Sequence, residues 1–158
     1  MRKRPMAPTL ETVPSQDEDS LDLERAAVVE VTSEEEEKDF PVEAALVLGE
    51  TRGWRAAEPG PRTIRLLFDQ LQRIKRIALV FEEDETIRTQ EFVLRWSPDR
   101  GKRFREIVRQ QWNFRSPATV REVEDYRVEL PDVAVLELKI VPNISGGASL
   151  KRLRLFPG

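Results

Sequence analysis

The chain has 158 residues, the length of one domain, and a domain of this size buries about two-thirds of the surface of its unfolded chain. It contains neither cysteine nor histidine. Their absence excludes disulfides, thiolate metal sites, cysteine nucleophiles, the Ser-His-Asp triad and imidazole zinc sites, so few enzyme mechanisms remain.

The formal net charge of −3 conceals an uneven distribution of charged residues. Residues 1–40 carry 5 basic and 12 acidic side chains, whereas residues 41–158 carry 21 basic and 17 acidic side chains. The basic excess of the second region is small, so binding to nucleic acid is not expected. Residues 1–20 contain three prolines and an acidic cluster, and we predict that they form a disordered tail.

No apolar run in the sequence has the length of a membrane span. A transmembrane helix needs about 20 apolar residues. The basic start MRKRPMAP is also not followed by the apolar run of about 7–15 residues that a signal peptide requires. We therefore expect a soluble cytoplasmic protein without a membrane span.

The first predicted elements are short. The β-branched cluster in LDLERAAVVEVT (21–32) predicts a strand, with a helix over 21–30 as the alternative. The spacing of small and apolar residues in FPVEAALVLGE (40–50) predicts one or two helical turns. Residues 49–62 contain three glycines and two prolines and are predicted to form a loop.

From Thr63 onwards, apolar and polar residues alternate, which is typical of strands with one buried face. Separate strands are predicted over TIRLLFD, RIKRIALVFEE, EFVLRWS, FREIVRQQ, REVEDYRVEL, VAVLELKIV and SLKRLRLF. The residues expected to face inward are Ile64, Leu66, Phe68, Ile77, Leu79, Phe81, Phe92, Leu94, Trp96, Tyr126, Val128, Leu130, Leu136, Leu138, Ile140, Leu153 and Leu155. Seven or eight short strands with one short helix predict an all-β fold, an antiparallel β-sandwich, over residues 21–158.

The segment EFVLRWSPDRGKRFREIV (91–108) is predicted to be a β-hairpin within this sandwich. Its turn has the pattern S-x-D-x-G, in which Gly101 would adopt a positive φ. Phe104 is expected to fill the sandwich together with the preceding strand. The spacing of Phe104 and Ile107 breaks strict alternation and therefore predicts a β-bulge.

In order and spacing, these segments resemble the discoidin, or coagulation-factor C-domain, family of the galactose-binding-like jelly rolls. The resemblance extends from about Val28 to Leu155 and rests on short segments: VEVTSEE, FPVEAAL, GWRAAEPGPRTIRLLFD, IKRIALVFEE, EFVLRWSPDRGKRFREIV, YRVEL, LELKIVP and ASLKRLRL. It implies an eight-stranded sandwich, usually non-catalytic, that binds sugars, phospholipid head groups or proteins through loops at one end. The terminal cysteine pair of many secreted members is missing here.

The resemblance also implies a structural calcium in some members, which carry an Asp after the helical turn and a Glu in the last strand. In this chain Arg152 falls about where the Glu would be. A guanidinium cannot supply the oxygen ligand that calcium requires, so no metal is expected at this position. No cofactor is expected either.

Two segments, GWRAAEPG and WNFRSP, combine a tryptophan with an arginine. An aromatic face beside directed hydrogen-bond donors is what a sugar or a planar ligand needs. The resemblance places both segments at the same end of the sandwich, where they would form one cleft. The alternative interpretation is that each tryptophan packs on the core and anchors its own segment. The predicted ligand-binding residues are Trp54, Arg55, Trp112, Asn113 and Arg115.

Three further groups of charged residues have other interpretations. The acidic run 82–85 could hold a cation, but it lacks the spacing of a calcium loop and is interpreted as a hairpin tip. Glu124 or Asp125, together with a carboxylate of the run 82–85, could form a glycosidase carboxylate pair, in which case the protein would be an enzyme. We interpret Arg95, Arg103, Arg105 and Arg109 as cations on a solvated outer face of the sheet.

The first hypothesis for function is a non-catalytic module that binds a carbohydrate-like or small anionic ligand through its end loops. It predicts a concave pocket between the loops 49–61, 112–118 and 142–148. The alternative is a cytoplasmic adaptor that binds a protein partner through a sheet face or the acidic leader. It predicts a flat apolar patch of several hundred Å².

Overall fold

The computed structural model describes residues 19–31, 41–49, 53–82, 88–114, 121–142 and 147–157. The predicted tail 1–20 lies almost entirely outside the described residues and remains a prediction. In chain order the elements are α1 (Leu23–Ala26), β1 (Ala27–Val31), α2 (Glu43–Leu46), β2 (Trp54–Pro59), β3 (Arg62–Glu82), β4 (Arg88–Ser97), β5 (Arg105–Phe114), β6 (Arg121–Pro142), β7 (Gly147–Leu150) and β8 (Arg152–Pro157).

The strands form an antiparallel β-sandwich, which confirms the predicted fold class. Six strands are connected in one sheet, in which the order β1-β3-β6-β4-β5 is extended by pairing of β8 with β3. Strands β2 and β7 form a separate two-stranded ribbon. Every one of these pairs is antiparallel. The long strands β3 and β6 bend, so that each contributes to both layers of the sandwich.

Strand β3 replaces two strands that were predicted separately over 63–69 and 73–83. Its first half pairs with β1 and its second half with β8, while β6 pairs with both halves. The register with β6 shifts between Leu67 and Arg76. Residues 69–73 are mostly exposed and, apart from Leu71, polar, as in a loop, but the hydrogen-bonded ladder continues beyond them. The predicted break is therefore wrong, and the same holds for β6.

The residues predicted to face inward from the alternating pattern do form the core. The rings of Phe81 and Phe92 come from different layers, and their centroids are 5.1 Å apart. Tyr126 and Val128 are only partly buried and pack against the edge of this core. The buried members are Ile64, Leu66, Phe68, Ile77, Leu79, Phe81, Phe92, Leu94, Trp96, Leu130, Leu136, Leu138, Ile140, Leu153 and Leu155.

The turn between β4 and β5 has the predicted S-x-D-x-G structure. Gly101 has a φ of 91°, and its backbone N–H donates to the hydroxyl of Ser97 at 2.9 Å. That hydroxyl donates in turn to the carboxylate of Asp99 at 2.7 Å. The carboxylate also accepts a hydrogen bond from the backbone N–H of Arg103 at 2.9 Å. These bonds hold the turn in one conformation.

The predicted β-bulge is also present at the start of β5. Leu94 pairs with Val108, whereas the next residue of β4, Arg95, pairs with Glu106. Ile107 is therefore the extra residue, and it shifts the side chains that follow by one position relative to β4.

Phe104 lies on the outer face of the sheet, so its predicted place inside the sandwich is wrong. It is half-buried, and its ring centroid is 5.3 Å from Cζ of Arg65 and 4.4 Å from Cζ of Arg95. Both arginines alternate with core residues along their strands and therefore project from the opposite face. An aromatic residue next to a turn can cover either face, and the sequence pattern did not distinguish them.

The two short helices lie beside the first and last strands. Residues 21–32 contain both predicted alternatives, because the helical turn α1 runs directly into strand β1. The turn predicted in 40–50 is present as α2. One helix was expected, and the described residues contain two.

Helix α2 is held against β8 by Arg154. This residue is 1% exposed, and its guanidinium donates to the carbonyls of Ala45 at 3.1 Å and Val47 at 3.2 Å. These are carbonyls that the end of a helix leaves without partners.

Candidate functional site

The strand ends next to the predicted ligand loops meet at one end of the sandwich, here called the loop end. The connections 83–87, 115–120 and 143–146 leave from this end and lie outside the described residues. The strand residues that flank them lie side by side in antiparallel ladders. The flanking pairs are Glu82 with Arg121, Arg88 with Phe114, and Gln90 with Pro142.

The β2–β7 ribbon lies at the loop end and contacts both layers. The backbone N–H of Lys151, just after β7, donates to the carbonyl of Val80 in β3 at 2.9 Å. The amide of Gln90 in β4 donates to the carbonyl of Ser149 in β7 at 3.4 Å. The segment 49–62 was predicted to be a loop, but residues 54–59 are strand β2, so this prediction is wrong. Pairing with β7, which is distant in sequence, extends the backbone despite the flanking glycines and prolines.

Trp54, one of the predicted ligand residues, is buried in the core with 1% of its surface exposed. The backbone beside it is closely packed, because a Cβ added to Gly53 would lie 3.0 Å from Cα of Lys151. Gly53 also has a φ of 81°, which favours glycine. In this position Trp54 offers no face to a ligand and anchors the ribbon, as the alternative interpretation proposed.

Arg55 pairs with Ser149 across the ribbon and is half-buried. Together with Glu82 and Lys151 it lines a small cleft of about 30 Å³ that is open to solvent. Glu82 lies between two cations, at 3.6 Å from Nζ of Lys151 and 3.9 Å from the guanidinium of Arg121. This cleft combines anionic, cationic and hydroxyl groups, which can donate and accept hydrogen bonds with a polar ligand.

Trp112 and Asn113 lie on strand β5 and not in a loop as predicted. The backbone of Trp112 pairs with Gln90, and that of Asn113 pairs with Thr89. Gln90 in turn bonds to Ser149, the partner of Arg55, so the register brings Trp112 and Arg55 to the same end. The side chains of Trp112 and Asn113, and all of Arg115, lie outside the described residues.

Gln90 is a polar residue of the site that the sequence analysis missed. It is fully buried, and its Oε1 has no hydrogen-bond partner among the described residues. The Nε1 of Trp54 is likewise buried without a partner in the described part of the chain. A signal was available, because Gln90 shares the strand face of Phe92 and Leu94. A polar residue in an apolar row marks a place where the core meets a polar group.

The carboxylates considered for catalysis lie on opposite faces of β6. Glu124 accepts a hydrogen bond of 2.6 Å from the hydroxyl of Tyr126, and burial, together with this bond, raises the pKa of Tyr126. Asp125 forms an ion pair of 2.6 Å with Arg76. Successive strand residues point to opposite sides, so at most one of these two carboxylates can face a given substrate. Their predicted partners at 83–85 lie outside the described residues.

No cluster of acidic side chains suited to a metal ion occurs among the described residues. Of the acidic run 82–85, only Glu82 is described, and it is engaged with Lys151 and Arg121. No described helix is long and apolar enough to cross a membrane.

Comparison with known proteins found similarity at the level of structure. Neither models of protein families nor curated proteins matched the chain. Among solved structures, it resembles the family 32 carbohydrate-binding module of NanJ from Clostridium perfringens in complex with galactose. That match has 13% identity and a TM-score of 0.65, and covers 87% of this chain and 98% of that chain.

Two further structures show the same similarity. One is the module CpGH89CBM32-5 of Clostridium perfringens in complex with GalNAc-β-1,3-galactose, with 18% identity, a TM-score of 0.64 and coverage of 87% and 99%. The other is a mutant of chitosan-binding module 1 from a chitosanase/glucanase of Paenibacillus sp. IK-5, with 17% identity, a TM-score of 0.62 and coverage of 87% and 98%. At these identities, the similarity establishes a shared β-sandwich fold.

Proposed function

We propose that this protein is a non-catalytic carbohydrate-binding module that holds a sugar at the loop end. The observation that carries the proposal is the fold, which matches that of the galactose-bound module over 87% of this chain and 98% of the other. A second such structure holds GalNAc-β-1,3-galactose, and a third is named for chitosan. A shared fold does not by itself transfer a ligand, so the composition of the loop end supplies the second support.

The proposed binding residues are Arg55, Trp112, Asn113 and Arg115. Arg55 lines the described cleft, and the register of β5 brings Trp112 to the same end of the sandwich. An indole that stacks on a sugar ring, beside amide and guanidinium donors for its hydroxyls, would bind a neutral saccharide. Trp54 has a supporting role in this proposal, because its ring packs beneath the ribbon that carries Arg55.

The adaptor alternative has no comparable support. It predicted a flat apolar patch on an outer face. Among the described side chains, the large hydrophobic residues that are strongly exposed are Val28, Leu71 and Val123. Val28 and Val123 pair with opposite halves of β3, at Leu67 and Val80, so these residues do not form one patch. The finer assignment to the discoidin family and the cytoplasmic location remain predictions from the sequence.

The test is a glycan array followed by calorimetric titration with the saccharide that binds best. Substituting Trp112→Ala should weaken binding at least about fivefold, because loss of a stacked aromatic ring costs about 1–3 kcal/mol. The control is Arg109→Ala, which removes an exposed arginine from the same strand and should leave affinity within about twofold.

The saccharide should be recovered intact after prolonged incubation, since the module is proposed to be non-catalytic. An array without saturable binding would contradict the proposal. Equal affinity of the folded Trp112→Ala variant and the wild-type protein would contradict the assigned site.

A further inference from the structure

The turn of the β4–β5 hairpin lies at the opposite end of the sandwich from the loop end. Strand β4 pairs with Pro142 through Gln90 at the loop end and with Val135 through Ser97 at the turn. The turn sequence RGKRFR (100–105) places four cationic residues within six positions. This is a concentration of positive charge on a part of the molecule that the proposed sugar site does not use.

Beside this turn is an open cleft, here called the hairpin cleft. It is lined by Pro98, Arg103, Phe104 and Arg105, and its volume is about 310 Å³. This volume is at the lower limit of small-ligand sites and suits a single ring-sized group. The hairpin cleft combines two apolar rings with two exposed guanidinium groups.

The Phe104 side of the hairpin cleft rests on an ion-pair cluster formed by the buried Glu137 and the partly exposed Arg65 and Arg95. The side chain of Glu137 is 2% exposed and accepts hydrogen bonds from Nε of Arg65 and Nε of Arg95, both at 2.7 Å. The two guanidinium groups in turn lie against the ring of Phe104. A ring held by two anchored cations loses little freedom when a ligand packs on its other side.

The two guanidinium groups of the hairpin cleft have donors that the fold leaves unused. Arg103 bonds to Asp99 through its Nε at 3.1 Å, which leaves its terminal N–H groups without acceptors among the described residues. The Cζ of Arg105 lies 5.7 Å from the ring of Trp96, and no acceptor for its N–H groups occurs in the described part of the chain. Two guanidinium groups with unused donors next to each other favour the binding of an oxyanion.

We propose that the hairpin cleft binds an acidic sugar unit of a polysaccharide, either a uronate or a sulfated residue. Its ring would pack on Phe104 and Pro98, and its carboxylate or sulfate would lie between Arg103 and Arg105. Of the nearest carboxylates, Asp99 engages Arg103 through Nε and leaves its terminal N–H groups to a ligand, and Glu137 is buried between two other arginines.

An acidic sugar fits these observations better than the other polyanions do. Single-stranded nucleic acid needs several aromatic platforms for successive bases, and Phe104 is the one aromatic ring that lines the hairpin cleft. A membrane-binding turn would present apolar side chains at its tip, but residues 99–102 are polar, charged or glycine. The hairpin cleft provides one apolar platform and one anion site, which is the chemistry of one acidic monosaccharide.

This inference does not rest on the proposed function, since the two sites use different residues at opposite ends. Binding of a neutral glycan through Trp112 can fail while acidic polysaccharide still binds at the hairpin, and the reverse can also occur. Each result therefore bears on one site only.

The test is calorimetric titration of the full chain with oligogalacturonate, as the carboxylate probe, and with a heparin-derived oligosaccharide, as the sulfate probe. The double variant Arg103→Ala/Arg105→Ala should bind the preferred probe at least tenfold more weakly than the wild-type protein. Affinity of the wild-type protein should fall as salt is raised, because both contacts are partly exposed. The variant Arg103→Lys/Arg105→Lys keeps the charge and should lose an intermediate amount of affinity.

The control is Arg25→Ala/Arg109→Ala, which removes two exposed arginines that do not line the hairpin cleft. Its affinity should stay within about threefold of wild type. The proposal is overturned if neither probe binds, or if the control loses as much affinity as the double variant. It is also overturned if a DNA oligonucleotide or phosphatidylserine vesicles bind more tightly than both probes. Thermal unfolding of each variant establishes that it is folded.

Discussion

Arg154 shows how a single residue can join two elements that the sequence leaves separate. Its guanidinium donates to carbonyls of α2 and also to the carbonyl of Leu153 at 2.9 Å. A buried cation costs desolvation energy unless it is bonded, and here several carbonyl oxygens meet that need. The planar, delocalised guanidinium suits this task, because one group can reach several oxygens at once.

Replacing Arg154 should therefore destabilise the protein. For Arg154→Ala we expect a loss of about 2–4 kcal/mol, since buried carbonyls lose their donors and a cavity is left. The variant Arg154→Lys should lose less stability. The variant Arg154→Met keeps much of the packing, so its loss of stability measures mainly the missing hydrogen bonds. Urea unfolding measures all three. A loss below about 0.5 kcal/mol in Arg154→Ala would show that α2 is held by other contacts.

Asp99 makes the stability of the hairpin turn dependent on pH. Hydrogen bonds from the Ser97 hydroxyl and from Arg103 lower the pKa of Asp99 to about 2 from its ordinary value near 3.8. A carboxylate whose pKa is lowered in the folded state stabilises the protein at pH values above its ordinary pKa. That contribution is lost as the pH falls from about 4 to about 2.

The wild-type protein should thus be more stable than Asp99→Asn at pH 6, and the difference should shrink as the pH approaches 2. Urea midpoints at pH 6, 4 and 2.5 measure this difference. Asp132→Asn, which removes an exposed carboxylate outside the turn, is the control and should show no such convergence. A constant difference between wild type and Asp99→Asn over this range would contradict the role of the carboxylate.

At the level of elements, a row of alternating charges crosses the five strands of the larger layer. Arg65 and Arg95 each lie between two glutamates in the register of the sheet. Opposite charges on neighbouring strands stabilise a sheet, and like charges would oppose a shifted register. In strand order the row is Glu30, Arg65, Glu137, Arg95 and Glu106.

The centre of this row should contribute most, because Glu137 is buried whereas its neighbours are partly exposed. Glu137→Gln should reduce stability by roughly 1–3 kcal/mol, since hydrogen bonds to two charged partners are weakened. The matched control is Glu91→Gln, which removes a more exposed carboxylate paired with Arg109 and should cost less than about 1 kcal/mol. Chemical denaturation compares the two, and equal losses would assign no special role to Glu137.

At the level of the whole molecule, the long strands β3 and β6 connect the two layers. Each layer contains half of each strand, so neither layer can unfold without disrupting the ladder of the other. We expect one cooperative transition, with the same midpoint from tryptophan fluorescence and from far-ultraviolet circular dichroism. Two separated midpoints would show that the layers unfold independently.

Much of the fold could be predicted from local patterns. The alternation in 91–97 predicted the buried row Phe92, Leu94 and Trp96, and the turn chemistry predicted the conformation of Gly101. Alternation did not predict where strands continue through exposed residues such as Asp69, because only pairing with β6 decides this. It does place Gln90 on the face of Phe92 and Leu94, but the group that its side chain meets there is decided by contact with β7.

The sequence by itself determined the all-β class, the strand faces, the hairpin turn and the absence of cysteine and histidine chemistry. These follow from residue types and periods within about ten positions. Only the tertiary structure decided that Trp54 is buried, that Phe104 covers the outer face and that Arg154 takes the carbonyls of α2. The physical reason is that burial and pairing depend on contacts between residues far apart in the chain.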